Sequence, residues 1–277
     1  ITTHGFTDVL YIRDEHRYDM FDPQIEYPDP LIPRQHTWPI SERVSAQGEI
    51  VRALDEEQLA EIAREISAQD LRSVAVCLLN SYANSTHEQR IKEVFEKELP
   101  GIHVTLSSEV APQIREYPRT STTCINAYST PFSLPYLTGL TDQVKAEGSQ
   151  LEPLIMLSNG GVVGARTAAL QPVRMIESGP AAGALAAGLL SKNYGISDLI
   201  SFDMGGTTAK ACLIQGGEPL ITGEFEVDRR YRFKPGSGMP ITVPSVDMIE
   251  IGAGGGSIAR MDDLGLLKVG PDSAGSD

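Results

Sequence analysis

Cysteine is scarce and dispersed: Cys77, Cys124 and Cys212 are the only three, far apart and each inside or beside an apolar segment. An odd, scattered set makes no disulfide framework and has no metal-ligand spacing. It predicts three buried thiols in a reducing compartment, the cytoplasm. Long apolar runs are missing as well. No stretch approaches membrane-spanning length, and the opening residues lack the charged, apolar and small-residue succession of a leader. Positive charge is in deficit, with 23 Lys and Arg against 37 Asp and Glu and a formal net charge of -14. Such a chain lacks the basic face that nucleic acid needs, so neither nucleic acid nor a membrane is an expected partner. A local phosphate site built from backbone N–H groups stays open, because it needs no net positive charge. The five histidines, His4, His16, His36, His87 and His103, fall in no H-E-x-x-H spacing, and no G-x-S-x-G elbow is present.

What is present is an ordinary globular composition, 41% hydrophobic and 22% charged over 277 residues. The length suits one large domain or two lobes. Residues 19 to 49 hold Pro23, Pro28, Pro30, Pro33 and Pro39, which predicts an extended, loop-rich insertion. Trp38 among them reads as a loop-packing residue. "LDEEQLAEIAREISAQD" (54 to 70) repeats Leu54, Leu59, Ile62 and Ile66 at helical spacing behind an acidic start. "SVAVCLLNSY" (73 to 82) is a buried strand. "STHEQRIKEVFEKEL" (85 to 99) is a second helix capped by Ser85 or Thr86, and "GIHVTLSSEV" (101 to 110) is a strand and its exit. Helix and strand thus alternate, the signature of an α/β layer. Residues 120 to 148 read as a long helix that Pro131 and Pro135 interrupt or kink. "PLIMLSNGG" (153 to 161) is a strand entering a turn, "SGPAAGALAAGLLSKNYG" (178 to 195) a small-residue helix with Pro180 in its first turn, and "DLISFDMGG" (198 to 206) the next strand.

Three places carry candidate chemistry. In "ISFDMGGTTAKACLI" (200 to 214) a strand ends at Asp203, Gly205 and Gly206 follow, then Thr207 and Thr208, then the return strand. Glycines accept positive φ and expose their N–H groups, the threonines add hydroxyls, and Asp203 can hold Mg²⁺ through its water shell. That pattern fits a phosphate-gripping hairpin, or a plain hairpin with a tight turn. In "IEIGAGGGSIAR", Gly254, Gly255, Gly256 and Ser257 are costly to order and imply close approach by a ligand or by another chain segment. The helix that starts at Ser178-Gly179-Pro180 suits either a close helix crossing or a hinge between lobes. Its N-terminus beside Glu177, together with the Asn159-Gly160-Gly161 turn, is then a candidate cleft.

These pieces together resemble the hydantoinase A/5-oxoprolinase family, with its N-methylhydantoinase and acetone and acetophenone carboxylase relatives. The stretches that carry the resemblance include "ITTHGFTDVLYI", "ERVSAQGEIVRALDEE", "SSEVAPQIREYPRTSTTCINAY", "PVRMIESGPAAGALAA", "FDMGGTTAKACLI" and "VDMIEIGAGGGSIARMDDLGLLKVGPDSAG", in family order over nearly the whole chain. The resemblance implies an α/β fold of the actin/hexokinase/heat-shock-chaperone ATPase kind, with two lobes and incomplete at both ends. A first lobe would run over 1–196, with the proline-rich insertion near 19–49 and a connecting helix at 178–193; the second would begin at 197–277. The implied cofactors are ATP and Mg²⁺. Asp203 would act as metal ligand and catalytic residue, Glu177 as catalytic residue and Asn159 on the substrate. Gly205, Gly206, Thr207, Thr208, Gly254, Gly255, Gly256 and Ser257 would hold the nucleotide. The implied activity is ATP-dependent ring opening of a cyclic amide (a hydantoin, 5-oxoproline or a lactam) by carbonyl phosphorylation. The alternatives are an ATP-dependent ketone carboxylase subunit and a non-catalytic ATP-binding regulator. Partners would be a cyclic amide or ketone and a second, hydantoinase B-type subunit in an oligomer. Relatives often read Gly-Gly-Thr-Ser-Thr-Asp at the hairpin, and Lys210 here replaces the final carboxylate. The family's earlier Asp-x-Gly-Gly-Thr hairpin is also absent. A start without methionine and a stop inside a glycine-rich stretch fit a piece of a longer polypeptide, which by itself would not turn over.

Overall fold

The computed structural model describes residues 1–14, 17–231 and 233–275; His16 lies outside the described residues. In chain order the main elements are β1 (Thr2–Thr3), β2 (Pro39–Ile40), α1 (Glu56–Ser67), β3 (Ser73–Val76), α2 (Thr86–Glu98), β4 (His103–Leu106) and α3 (Glu116–Ala146). They continue as β5 (Leu154–Met156), β6 (Val162–Gly164), α4 (Ala165–Leu170), α5 (Ser178–Tyr194), β7 (Leu199–Met204) and β8 (Ala209–Gln215). The last are β9 (Phe225–Val227), β10 (Met239–Ile241), β11 (Ile249–Ile251), β12 (Ser257–Met261) and β13 (Leu267–Ser273). Two compact units result. One comprises Ile1–Pro153, Gly164–Val173 and Glu224–Val243; the other comprises Leu154–Val163, Arg174–Gly223 and the chain from Pro244 on.

The first unit is an α/β layer. α1 starts where Asp55 accepts the Gln58 N–H at 3.0 Å, and its periodic residues Leu59, Ile62 and Ile66 are buried. β3 and β4 pair in parallel, Ser73 opposite His103 through Val76 opposite Leu106, with α2 as the crossover that parallel pairing requires. Ile91 and Phe95 of α2 close the core against Ile40, Leu59 and Leu106. Each such fully buried side chain contributes about 1.5–3 kcal/mol. Ser85 holds the α2 cap position without a side-chain bond; Asn84 accepts the Thr86 N–H at 3.0 Å instead. In the proline-rich segment, Arg13 stacks on Tyr27 at 4.3 Å, Arg34 stacks on Tyr11 at 4.2 Å, and Trp38 packs on the core.

The two prolines do not interrupt α3. The helix runs unbroken from Glu116 to Ala146 with Pro131 and Pro135 inside it. Its buried first half, from Tyr117 to Ala127, is packed against β3, β4 and α4, and Asn126 Nδ2 donates to the Leu170 carbonyl at 3.1 Å. Thr130 and Leu137 beside the prolines are buried too, and tertiary context overrides propensity. β9 and β10 form a hairpin that returns to this unit, where the Thr242 N–H donates to Thr122 Oγ1 at 2.9 Å.

Polar groups are also buried here, and they are connected. Glu88 accepts from the Leu78 N–H (2.9 Å), the Ser107 hydroxyl (2.6 Å) and the Ser108 N–H (2.9 Å). The fully buried Arg119 donates through Nη1 to Ser81 and Ser107 at 2.6 and 3.0 Å. Glu88→Ala leaves three donors without an acceptor at the end of the β-layer. It is expected to cost about 3 kcal/mol or more, read by urea unfolding, with Glu88→Gln milder.

In the second unit α5 lies on one face of an antiparallel sheet in which β8 pairs with β7 and β11. Ala181 and Ala184 meet Cys212 and Val246 there. A Cβ on Gly188 would stand 2.7 Å from the Gly217 carbonyl oxygen, so the small residues are what allow this approach. The opposite sheet face leaves Ile200, Phe202, Met204, Leu213 and Ile249 exposed. All three cysteines are free and buried. Burial pushes the Cys124 thiol up to about 12, so its reactive thiolate is scarce at neutral pH. Iodoacetamide at pH 8 should leave Cys124 unmodified in the folded protein and alkylate it in urea, as read by mass spectrometry.

Candidate phosphate-binding hairpin

β7 and β8 pair in register, Met204 opposite Ala209 and Asp203 opposite Lys210. The turn between them closes with the Gly205 N–H donating to the Thr208 carbonyl at 2.9 Å. Contrary to the reading from glycine's freedom, neither Gly205 nor Gly206 has a left-handed backbone. Their lack of a side chain serves close approach instead. The Gly255 N–H donates to the Gly205 carbonyl and the Gly256 N–H to the Gly206 carbonyl, both at 2.9 Å. A Cβ on Gly254 would lie 2.6 Å from the Gly205 oxygen and the Gly206 carbonyl carbon. A Cβ on Gly256 would lie 2.9 Å from Ser273 Oγ.

This clasp divides the labour between the two glycine-rich segments. In the second, the Gly254 N–H donates to Ser257 Oγ at 2.9 Å and the Ser257 N–H to the Gly254 carbonyl at 3.0 Å. Gly254, Gly255, Gly256 and Ser257 therefore spend their amide donors inside the protein and buttress the hairpin. In the first, the N–H groups of Gly206 and Thr207, the Thr208 N–H and both threonine hydroxyls have no hydrogen-bond partner among the described residues. Gly206 and Thr207 are exposed, and nothing lies within 4 Å of a Cβ on Gly206. Asp203 is exposed and forms no ion pair among the described residues.

Glu177 takes the cap position of α5 with a left-handed backbone, φ 66°, and its side chain does not cap the helix. Its carboxylate instead meets the Lys210 ammonium, which also lies 3.8 Å from Glu250. Lys210 was legible only as a departure from the family pattern; its position opposite Asp203 on the sheet follows from the hairpin register. Asn159 is exposed, and its Oδ1 accepts the Gly161 N–H at 2.9 Å, an Asx turn. Gly160 beside it has φ 83° and packs under Leu185, where a Cβ would fall 2.2 Å from Cδ1. The preceding turn is stapled by Ser158, whose hydroxyl meets the Arg174 and Ile176 carbonyls at 2.6 Å each. The structure thus joins residues 203–208 to 254–257, links Glu177 to them through Lys210, and gives Asn159 a partner in its own turn.

A set of unpartnered amide and hydroxyl donors fits a phosphate group. Among the described residues no group of three or more His, Cys, Asp or Glu could hold a metal ion. A divalent cation at this site would therefore depend on Asp203, water and the phosphates themselves, as Mg²⁺ commonly does.

A model of the Hydantoinase/oxoprolinase family matches residues 119–277, and one of the Hydantoinase/oxoprolinase N-terminal region matches residues 1–99. The chain belongs to the hydantoinase/oxoprolinase family. It is 42% identical over its whole length to an uncharacterized protein of Methanocaldococcus jannaschii, covering 41% of that protein. It is 36% identical to the caprolactamase subunit alpha of Pseudomonas jessenii, covering 100% of this chain and 39% of that one. The nucleotide-free structure of acetone carboxylase, solved for the mechanism of ATP-dependent acetone carboxylation, superimposes with a TM-score of 0.79 at 28% identity, over 98% of this chain and 39% of that one. The α/β fold is thus shared with that enzyme. The chain spans about two fifths of the length of these relatives.

Gly254→Ala must push the hairpin turn aside and is expected to destabilise by about 1–3 kcal/mol in urea unfolding. Gly206→Ala meets nothing and should stay within about 0.5 kcal/mol of the parent.

Proposed function

We propose that this chain is the ATP-binding part of an enzyme that opens a cyclic amide at the expense of ATP. The observation that carries the reading is the tip of the β7–β8 hairpin, where three amide N–H groups and two hydroxyls have no partner among the described residues and Gly206 and Thr207 are exposed. When bound, ATP with Mg²⁺ would supply the phosphoryl group that, placed on the amide oxygen, activates the carbonyl carbon towards water. The chain's own contribution is to hold phosphate oxygens on Gly206, Thr207 and Thr208 and to orient the cation's water shell with Asp203. Donors fixed in advance stabilise charge on a transferring phosphoryl group without reorganising. The similarity to a caprolactamase subunit favours a lactam or a related ring, and that relative's being one subunit of its enzyme favours a second subunit in an oligomer. Three buried free thiols favour the cytoplasm, and no helix among the described residues is long and apolar enough to cross a membrane.

The likeness to acetone carboxylase sustains a second reading, ATP-dependent activation of a ketone for carboxylation. Full-length protein with its partner subunit is to be assayed for ATP hydrolysis with caprolactam, hydantoin and 5-oxoproline, and separately with acetone plus bicarbonate. Stimulation by a cyclic amide supports the first reading and stimulation by the ketone the second; stimulation by neither leaves an ATP-binding regulator. Asp203→Ala is expected to weaken Mg-ATP binding by roughly tenfold, about 1.4 kcal/mol. An unchanged Kd in calorimetry overturns the site.

A further inference from the structure

Beside the candidate phosphate hairpin Lys210 stands among three carboxylates. Asp203, Lys210 and Glu250 face one another across β7, β8 and β11, because Lys210 is the register partner of both, and directly opposed residues share a sheet face. Glu177 reaches the same ammonium from the start of α5. The Lys210 side chain is only 15% exposed and that of Glu177 only 30%, so solvent screens this contact less than a surface pair. Lys210 makes its contacts with Glu177 and Glu250, and Asp203 is left without an ion pair among the described residues.

We propose that Lys210 is the positioning residue of the phosphate site: it anchors the turn before α5 to the hairpin and keeps Asp203 the one carboxylate of the row that is open to a cation. The inference rests on the nucleotide-binding reading above. Two physical consequences give it content. The turn at 174–177 is pinned by Ser158 on one side and by Lys210 at Glu177 on the other. The second contact helps hold Glu177 in its left-handed backbone, a conformation that costs a non-glycine residue about 1–3 kcal/mol. Without the ammonium, Glu177 would also stand uncompensated beside Asp203 and repel an incoming polyphosphate. With the ammonium but without Glu177, Lys210 can fall back on its cross-strand neighbour Asp203 and compete with the cation.

The test measures Mg-ATP affinity and its Mg²⁺ dependence by calorimetry on the full-length protein, with thermal melting alongside. Lys210→Met is expected to weaken Mg-ATP binding roughly tenfold or more, since small misplacements of positioned groups cost on the order of a hundredfold. Glu177→Gln should raise the Mg²⁺ needed for half-maximal ATP binding several-fold, and Lys210→Arg should keep both readouts near the parent. The double variant Lys210→Met/Glu177→Gln, with neither stray charge, should recover most of the loss; coupled sites are non-additive in this way. Wild-type affinity in Lys210→Met overturns the assignment whatever its melting temperature, and so do strictly additive losses in the double variant. If Lys210→Met does not fold, an unchanged Mg²⁺ dependence in Glu177→Gln overturns it. Failure of the wild type to bind Mg-ATP overturns the nucleotide reading as well; normal binding with a weakened Asp203→Ala but an unaffected Lys210→Met removes the lysine's role alone.

Discussion

The second unit depends on a contact between two backbones. The carbonyls of Gly205 and Gly206 accept the N–H groups of Gly255 and Gly256, and no side chain stands between them. Everything at the site follows from that clasp. It fixes the turn without a left-handed residue and consumes the donors of the supporting loop. It leaves the remaining donors of the hairpin without partners among the described residues. Each segment here satisfies carbonyls or amides of the other. The glycines are needed at both ends of the contact because a methyl group at Gly254 would already overlap the turn.

The unpartnered donors are the means by which a chain of net charge -14 would offer the proposed anion site. Amide and hydroxyl donors act over a few ångströms and need no basic surface. The acidic surroundings are managed locally, with Lys210 placed where three carboxylates would otherwise meet. Rigidity of the support matters for the same reason. α5 approaches the sheet closely through Ala181, Ala184 and Gly188, and its start is held by Ser158 and Glu177. Donors carried by packed elements keep their geometry better than donors on a free loop.

Much of this was legible residue by residue. Leu59, Ile62 and Ile66 recur at helical spacing and are the residues α1 buries. The parallel β3 and β4 on either side of α2 follow from the alternation of apolar runs and amphipathic stretches. The hairpin strands flanking Gly205 and Gly206 were equally plain. Other features were not. Prolines at 131 and 135 signal a break by local rules, yet α3 passes through them, because local rules do not see the β-layer packed along the helix's first half. The triple glycine announced close approach without saying to what. Asn159 reads as a cleft residue, and its Asx turn is visible only in the structure.

The sequence by itself determined the α/β class, the family and the position of the hairpin, since these rest on periodicity, glycine placement and motif order. Only the tertiary structure decided which glycine-rich segment keeps its amide donors free. That choice depends on hydrogen bonds between residues some fifty positions apart in the chain, such as Gly205 with Gly255. It also decided that Lys210 sits among the carboxylates of the acidic row. Register across three strands, together with the turn before α5, brings Asp203, Glu250 and Glu177 around one ammonium, and no local pattern encodes that meeting.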